Sequence, residues 1–117
     1  MSKPNNLFTM NDLDRNTFIE IPILLFKKPF KYELSTNAKI LYSILRGKFE
    51  ESKQDGLYDE DGSVFIFYSR KHFSDTIGIS IEESQSCYDE LIDSDMIYID
   101  SLDGTNKIYI KDRFEKY

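Results

Sequence analysis

From Phe73 to Asn106 the chain holds nine carboxylates and not one Lys or Arg. They are Asp75, Glu82, Glu83, Asp89, Glu90, Asp93, Asp95, Asp100 and Asp103. Such a density of acceptors attracts basic surfaces and repels a polyanion. The bias belongs to this segment alone. Residues 1–72 carry eleven Lys and Arg against ten Asp and Glu, and residues 107–117 carry four against two, within a net charge of −6. Apolar residues run through the acidic stretch at regular spacing, so it is part of a folded domain and not a charged tail.

Groups suited to catalysis are sparse. Cys87 is the only cysteine and His72 the only histidine. A disulfide within the chain and a Cys-based zinc site are therefore excluded, and neither residue lies in a nucleophile motif. Asp59-Glu60-Asp61-Gly62 suggests a calcium loop. With Gly62 as the loop glycine, however, the first ligand position falls on Leu57 and the twelfth on Tyr68, so the pattern fails. An Asp-Gly turn between short strands is expected instead. These residues predict no enzyme, no metal and no cofactor. No run of 18 apolar residues exists, and Met1 to Asn6 lacks the layout of a signal peptide, so a cytoplasmic protein without a membrane partner is expected.

The elements that must position the acidic segment are legible. Residues 1–16 read as a flexible arm docked by Leu7 and Phe8, ahead of one domain over 17–117. Phe18 to Pro22 is extended, and Lys27 to Lys31 form a basic loop. Ser35 caps a helix whose buried stripe is Ala38, Leu41, Tyr42, Leu45 and Phe49. That helix should end near Glu51, with Lys39, Arg46 and Lys48 on its surface. Val64 to Tyr68 is rich in β-branched and aromatic residues and reads as a strand. Ser69 caps a short helix that Gly78 ends. Ser80 to Glu83 is a capping box for the next helix. Its inward face is Ile81, Ser84, Cys87 or Tyr88, and Leu91. Met96 to Asp100 and Lys107 to Ile110 alternate as strands about a tip at 102–106.

This order is α+β: a winged helix-turn-helix of three helices, a small antiparallel sheet and a C-terminal β-hairpin wing. Gly78-Ile79-Ser80 forms the tight turn. In such a fold the helix after the turn enters the major groove, and its flanks hold phosphates. Here that helix is acidic.

The chain resembles the N-terminal domain of the RepA_N family of plasmid replication initiators. The matching stretches are Phe18 to Pro22, Leu25-Phe26, Tyr32 with Leu34 to Tyr42, Asp59 to Ile66, Glu90-Leu91 and Lys107 to Ile110. The resemblance spans about residues 17 to 113. It implies a winged helix that binds repeated DNA sites at a plasmid origin and often dimerises. The family's basic residues after the third helix and in the wing are replaced here by Asp93, Asp95, Asp100 and Asp103.

The acidic face therefore predicts a stand-alone, repurposed winged helix. Glu82, Glu83, Asp89, Glu90, Asp93, Asp100 and Asp103 would bind a basic nucleic-acid-handling protein, such as a Cas nuclease or its RNA complex. The protein would then act as an anti-CRISPR or anti-restriction inhibitor that competes with nucleic acid, with Tyr88, Tyr98 or Tyr109 as exposed anchors. The alternative is the family's own role, sequence-specific binding of double-stranded origin DNA. Lys27, Lys28, Lys31, Arg70, Lys71, Gln85, Ser86, Lys107 and Lys111 are its candidate contacts, and homodimerisation is an option. A dimerisation or scaffold module is a third reading.

Overall fold

Serine starts each of the three principal helices. The computed structural model describes residues 2–7, 19–102 and 104–113. A 3₁₀ turn, Ile23–Phe26, and a single-turn helix α1, Phe30–Glu33, precede the long helix α2, Thr36–Gln54. Helices α3, Arg70–Ile77, and α4, Ile81–Asp93, follow, and then strands β1, Ile97–Asp100, and β2, Lys107–Ile110. The side chains of Ser35, Ser69 and Ser80 accept from the backbone N–H of Ala38, His72 and Glu83, respectively. Each satisfies one donor that a helix start leaves unpaired.

The turn between α3 and α4 is fastened from inside. Gly78 adopts φ 71°, a left-handed conformation that suits glycine. The N–H groups of Gly78 and Ile79 both donate to Ser74 O, and the buried Ser74 hydroxyl donates to Ile79 O. These bonds fix the relative course of the two helices.

One core joins these elements. Phe30, Leu41, Tyr42, Leu45, Ile66, Phe73, Tyr88, Leu91, Met96, Ile97 and Ile108 are all buried. Phe73 and Tyr88 meet edge to face, ring centroids 6.4 Å apart, and so hold α3 against α4. Burying a side chain of this size contributes about 1.5–3 kcal/mol.

The structure corrects several expectations. Helix α2 runs three residues beyond Glu51. Lys39 is buried on it, its ammonium 4.9 Å from the Phe26 ring, so its stem packs while the charge meets an aromatic face. Both Cys87 and Tyr88 are inside, whereas Ile81 in the first turn of α4 is exposed. Tyr88 is thus no surface anchor, and its hydroxyl donates to Tyr68 O at 2.6 Å. The expected third strand shrinks to two isolated bridges, Val64 with Tyr58 and Ile66 with Ile108, the latter pair exchanging both backbone hydrogen bonds at 2.8 and 2.9 Å. The neighbouring Phe65 N–H donates to Leu57 O instead. Because this segment divides its backbone partners between two neighbours, neither pairing extends into a ladder.

Strands β1 and β2 are antiparallel, with Ile97 opposite Ile110 and Asp100 opposite Lys107. Two acids of the Asp59–Gly62 turn serve the fold, one locally and one across to β2. Asp61 Oδ1 accepts from Ser63 N, and Asp59 Oδ2 accepts from the Tyr109 hydroxyl at 2.6 Å. Among the described residues no group of three or more potential metal ligands clusters, and no helix is long and apolar enough to cross a membrane. Phe8 and most of the expected N-terminal arm lie outside the described residues.

Candidate nucleic-acid interface

The first turn of α3 is where positive charge and free backbone donors coincide. A helix start leaves N–H groups without intrahelical acceptors, and these favour an anion. Arg70 and Lys71 occupy that turn. Arg70 is half-buried, its guanidinium 4.8 Å from the Tyr88 ring centroid. Its Nε is the one buried side-chain nitrogen or oxygen among the described residues without a hydrogen-bond partner. Lys71 pairs with Asp75 at 3.2 Å, but both are exposed, so the pair contributes little and yields easily to a stronger anion. The Ser84 hydroxyl donates to Arg70 O at 2.7 Å, which ties the start of α3 to α4.

Arg70 also lines a concavity of about 190 Å³ that reaches the wing. Phe67, Tyr68 and Ser69 form its α3 side, Thr105 and Asn106 come from the wing tip, and Ile99 and Ile108 form the wall between. Asn106, at φ 52°, accepts from the Ser101 hydroxyl at 2.6 Å. Lys107 follows, its ammonium 4.8 Å from the Phe65 ring centroid. A cation, two hydroxyls and an amide therefore meet across one groove.

Helix α4 lies beside this groove. Its core side is Ser84, Cys87, Tyr88 and Leu91, and its solvent side carries Glu82, Glu83, Ser86, Asp89 and Asp93, with Gln85 half-buried. Gln85 Nε2 donates to Asp89 Oδ1 at 3.0 Å. Glu90 departs from the expected acidic face. Its carboxylate accepts from Ser35 N and from Ser35 Oγ, both at 2.8 Å. An anion at the start of α2 suits the helix dipole, so Glu90 locks α4 to α2 and is not available to a ligand. Asp100 is likewise engaged, accepting from Leu102 N at 3.0 Å and facing Lys107 across the hairpin. Asp103 lies outside the described residues.

The seven expected cations do not form one patch. Arg70 lines the groove that Asn106 enters from the wing tip, Lys107 follows Asn106 in the chain, and Lys71 pairs with Asp75 on α3. Lys111 lies at the other end of β2, where it pairs with Asp95. Arg113, two residues on, bonds Glu33 of α1 at 2.9 Å. That end of the molecule, next to α1, also holds Lys27, Lys28 and Lys31. Sequence reasoning missed Ser69 and Thr105. The readable signal for Ser69 was an N-cap serine directly before two basic residues. Thr105 gave none.

Two other features carry no chemistry. A wider groove of about 780 Å³ runs along α2, between Ile19 to Pro22 and Ile44 to Glu51, and its lining offers no cluster of reactive groups. Cys87 is buried, and burial, helped by Glu90 and Glu83, pushes its thiol up to about 11, so it stays protonated and unreactive.

The geometry so far is that of a winged helix with a basic α3 start. Comparison with known proteins agrees on the fold. The family described as the replication initiator protein A (RepA) N-terminus matches residues 17–116. The chain belongs to this family. No curated protein sequence matches it. Among solved structures, an N-terminal domain of a DNA-binding protein is similar at 24% identity and a TM-score of 0.71, over 92% of this chain and 84% of that one. A Rep–DNA complex gives 24% and 0.70, over 91% and 83%. A structure described as an MDR initiator gives 23% and 0.70, over 91% and 85%. At these identities the likeness establishes the shared fold.

RepA N-terminus membership overturns the expectation of an anti-CRISPR or anti-restriction inhibitor. The match runs through α3, α4 and the wing, the elements on which repurposing had been inferred. A Cas nuclease or its RNA complex as partner finds no support among these relatives. The acidity of α4 had been read as loss of the ancestral surface. Glu90 shows why that was an overcount, because one of those carboxylates is an internal fastening.

Proposed function

We propose that this domain binds duplex DNA as the origin-recognition module of a plasmid replication initiator. The observation that carries the reading is the family match across the whole winged helix, residues 17–116. The solved Rep–DNA complex, similar in fold, supports it. Helix α4 enters the major groove, while the start of α3 and the wing tip hold the flanking backbone. Arg70, Lys71 and Lys107 supply the charge, and Ser69, Thr105, Asn106 and the first N–H groups of α3 supply neutral donors to phosphate oxygens.

Three cations are few for a polyanion. Each neutralised phosphate contributes about −0.9 to the slope of log affinity against log salt, so a slope of about −3 is expected. The test is fluorescence anisotropy with duplex from the replicon's own origin and with scrambled duplex, over a salt series. Selective binding with that shallow slope supports the reading. Absence of any binding at low salt sinks it. Homodimerisation on repeated sites is part of the same proposal, and sedimentation at the binding concentrations tests it.

A further inference from the structure

The outward stripe of α4 carries no cation, and three of its five residues are carboxylates. Glu82, Gln85, Ser86, Asp89 and Asp93 recur at i, i+3, i+4, i+7 and i+11, opposite the buried Ser84, Cys87, Tyr88 and Leu91. No Lys or Arg lies between Lys71 and Lys107. Gln85 commits one of its amide hydrogens to Asp89. The place of this stripe is set by the fold and not by its charge. The turn through Gly78, and the bond from Ser84 to Arg70 O, put α4 beside the phosphate-holding start of α3.

Base pairs are told apart in the major groove by their donors and acceptors. Guanine offers two acceptors there, and Arg or Lys reads them. With no cation on its stripe, α4 has no such contact. A carboxylate set against guanine O6 or N7, or against thymine O4, would oppose lone pair to lone pair. The donors on offer are the exocyclic amino groups, cytosine N4 and adenine N6. We propose that α4 selects its DNA site through these amino groups, with Glu82, Gln85 and Asp89 as the acceptors. The inference rests on the duplex-DNA reading above and adds the chemistry of its target. The same carboxylates repel phosphate on every duplex, and only a sequence that presents the amino groups offsets that cost. They therefore suppress binding to unrelated sequence while they reward the right one, and specificity is that difference.

The experiment begins with selection from a random duplex pool by the full chain. The selected duplex is then resynthesised with single replacements. Pyrimidin-2-one stands for cytosine and purine for adenine, each lacking only the amino group, and 7-deazaguanine stands for guanine. At one position or more, loss of an amino group should lower affinity about tenfold. No 7-deazaguanine replacement should do so. Glu82→Ala and Asp89→Ala should abolish the sensitivity, yet bind random duplex as well or better, with circular dichroism confirming the fold. Selective binding that responds to 7-deazaguanine, or to none of the replacements, overturns this inference and leaves the DNA reading standing. No binding to any duplex at low salt overturns both.

Discussion

The first turn of α3 and the outward face of α4 lie side by side and carry opposite charge. One offers Arg70, Lys71 and unpaired N–H groups, and the other offers Glu82, Asp89 and Asp93. In a DNA reader these are two tasks. Holding phosphates needs positive charge but no sequence information, whereas reading bases needs matched donors and acceptors. Here the basic and acidic groups are separated, so under the DNA-binding reading proposed above attraction would come from the edge of the interface and discrimination from its centre.

That separation can be broken most directly at its basic half. Replacing both Arg70 and Lys71 by Glu should lower affinity for every duplex roughly a hundredfold and remove about two phosphate contacts from the salt slope. Anisotropy across a salt series measures both, and a loss confined to one sequence would contradict the division of labour. Glu90 sharpens the comparison, since it looks like a member of the acidic half but serves the fold. Glu90→Ala should cost about 1–2 kcal/mol of stability, visible as a thermal midpoint lower by several degrees. Glu82→Ala, without an internal partner, should leave the midpoint nearly unchanged.

The smallest effect concerns the far side of the wing. The Tyr109 hydroxyl, donating to Asp59, is held up at about 12, chiefly by that hydrogen bond, with burial and nearby carboxylates adding to it. The folded protein thus favours the neutral phenol beyond its ordinary value of 10.0. The stabilisation is complete below pH 10 and is lost as the pH rises to about 12. A tyrosinate absorbance titration should show this late ionisation in the native protein and lose it in Tyr109→Phe. DNA affinity near neutral pH should be the same in both.

Much of this was legible because it is local. Ser35, Ser69 and Ser80 announce their helices through hydrogen bonds three residues long, and Gly78 announces a turn by needing positive φ. The helix order then yields the winged helix. What escaped were partners distant in sequence. Glu90 and Ser35 are 55 residues apart, and Tyr109 and Asp59 are 50 apart. A carboxylate on a helix surface reads the same whether it faces solvent or another helix's first turn. Counting Glu90, and with it the whole segment, as a solvent-facing charge surface produced the inhibitor expectation. The strand at Val64 to Tyr68 failed for a related reason: its residue types suit a ladder, but its backbone partners are shared.

The clasp of Ser74 on the α3–α4 turn bears on how such domains diverge. The angle at which α4 leaves α3 is set by bonds among Ser74, Gly78 and Ile79, none of which lies on the outward stripe. Residues at 82, 85, 86 and 89 can then be exchanged without retuning that angle. A lineage that acquires a new target sequence needs to alter only the letters on a fixed typeface, and the scaffold places no penalty on which letters it chooses.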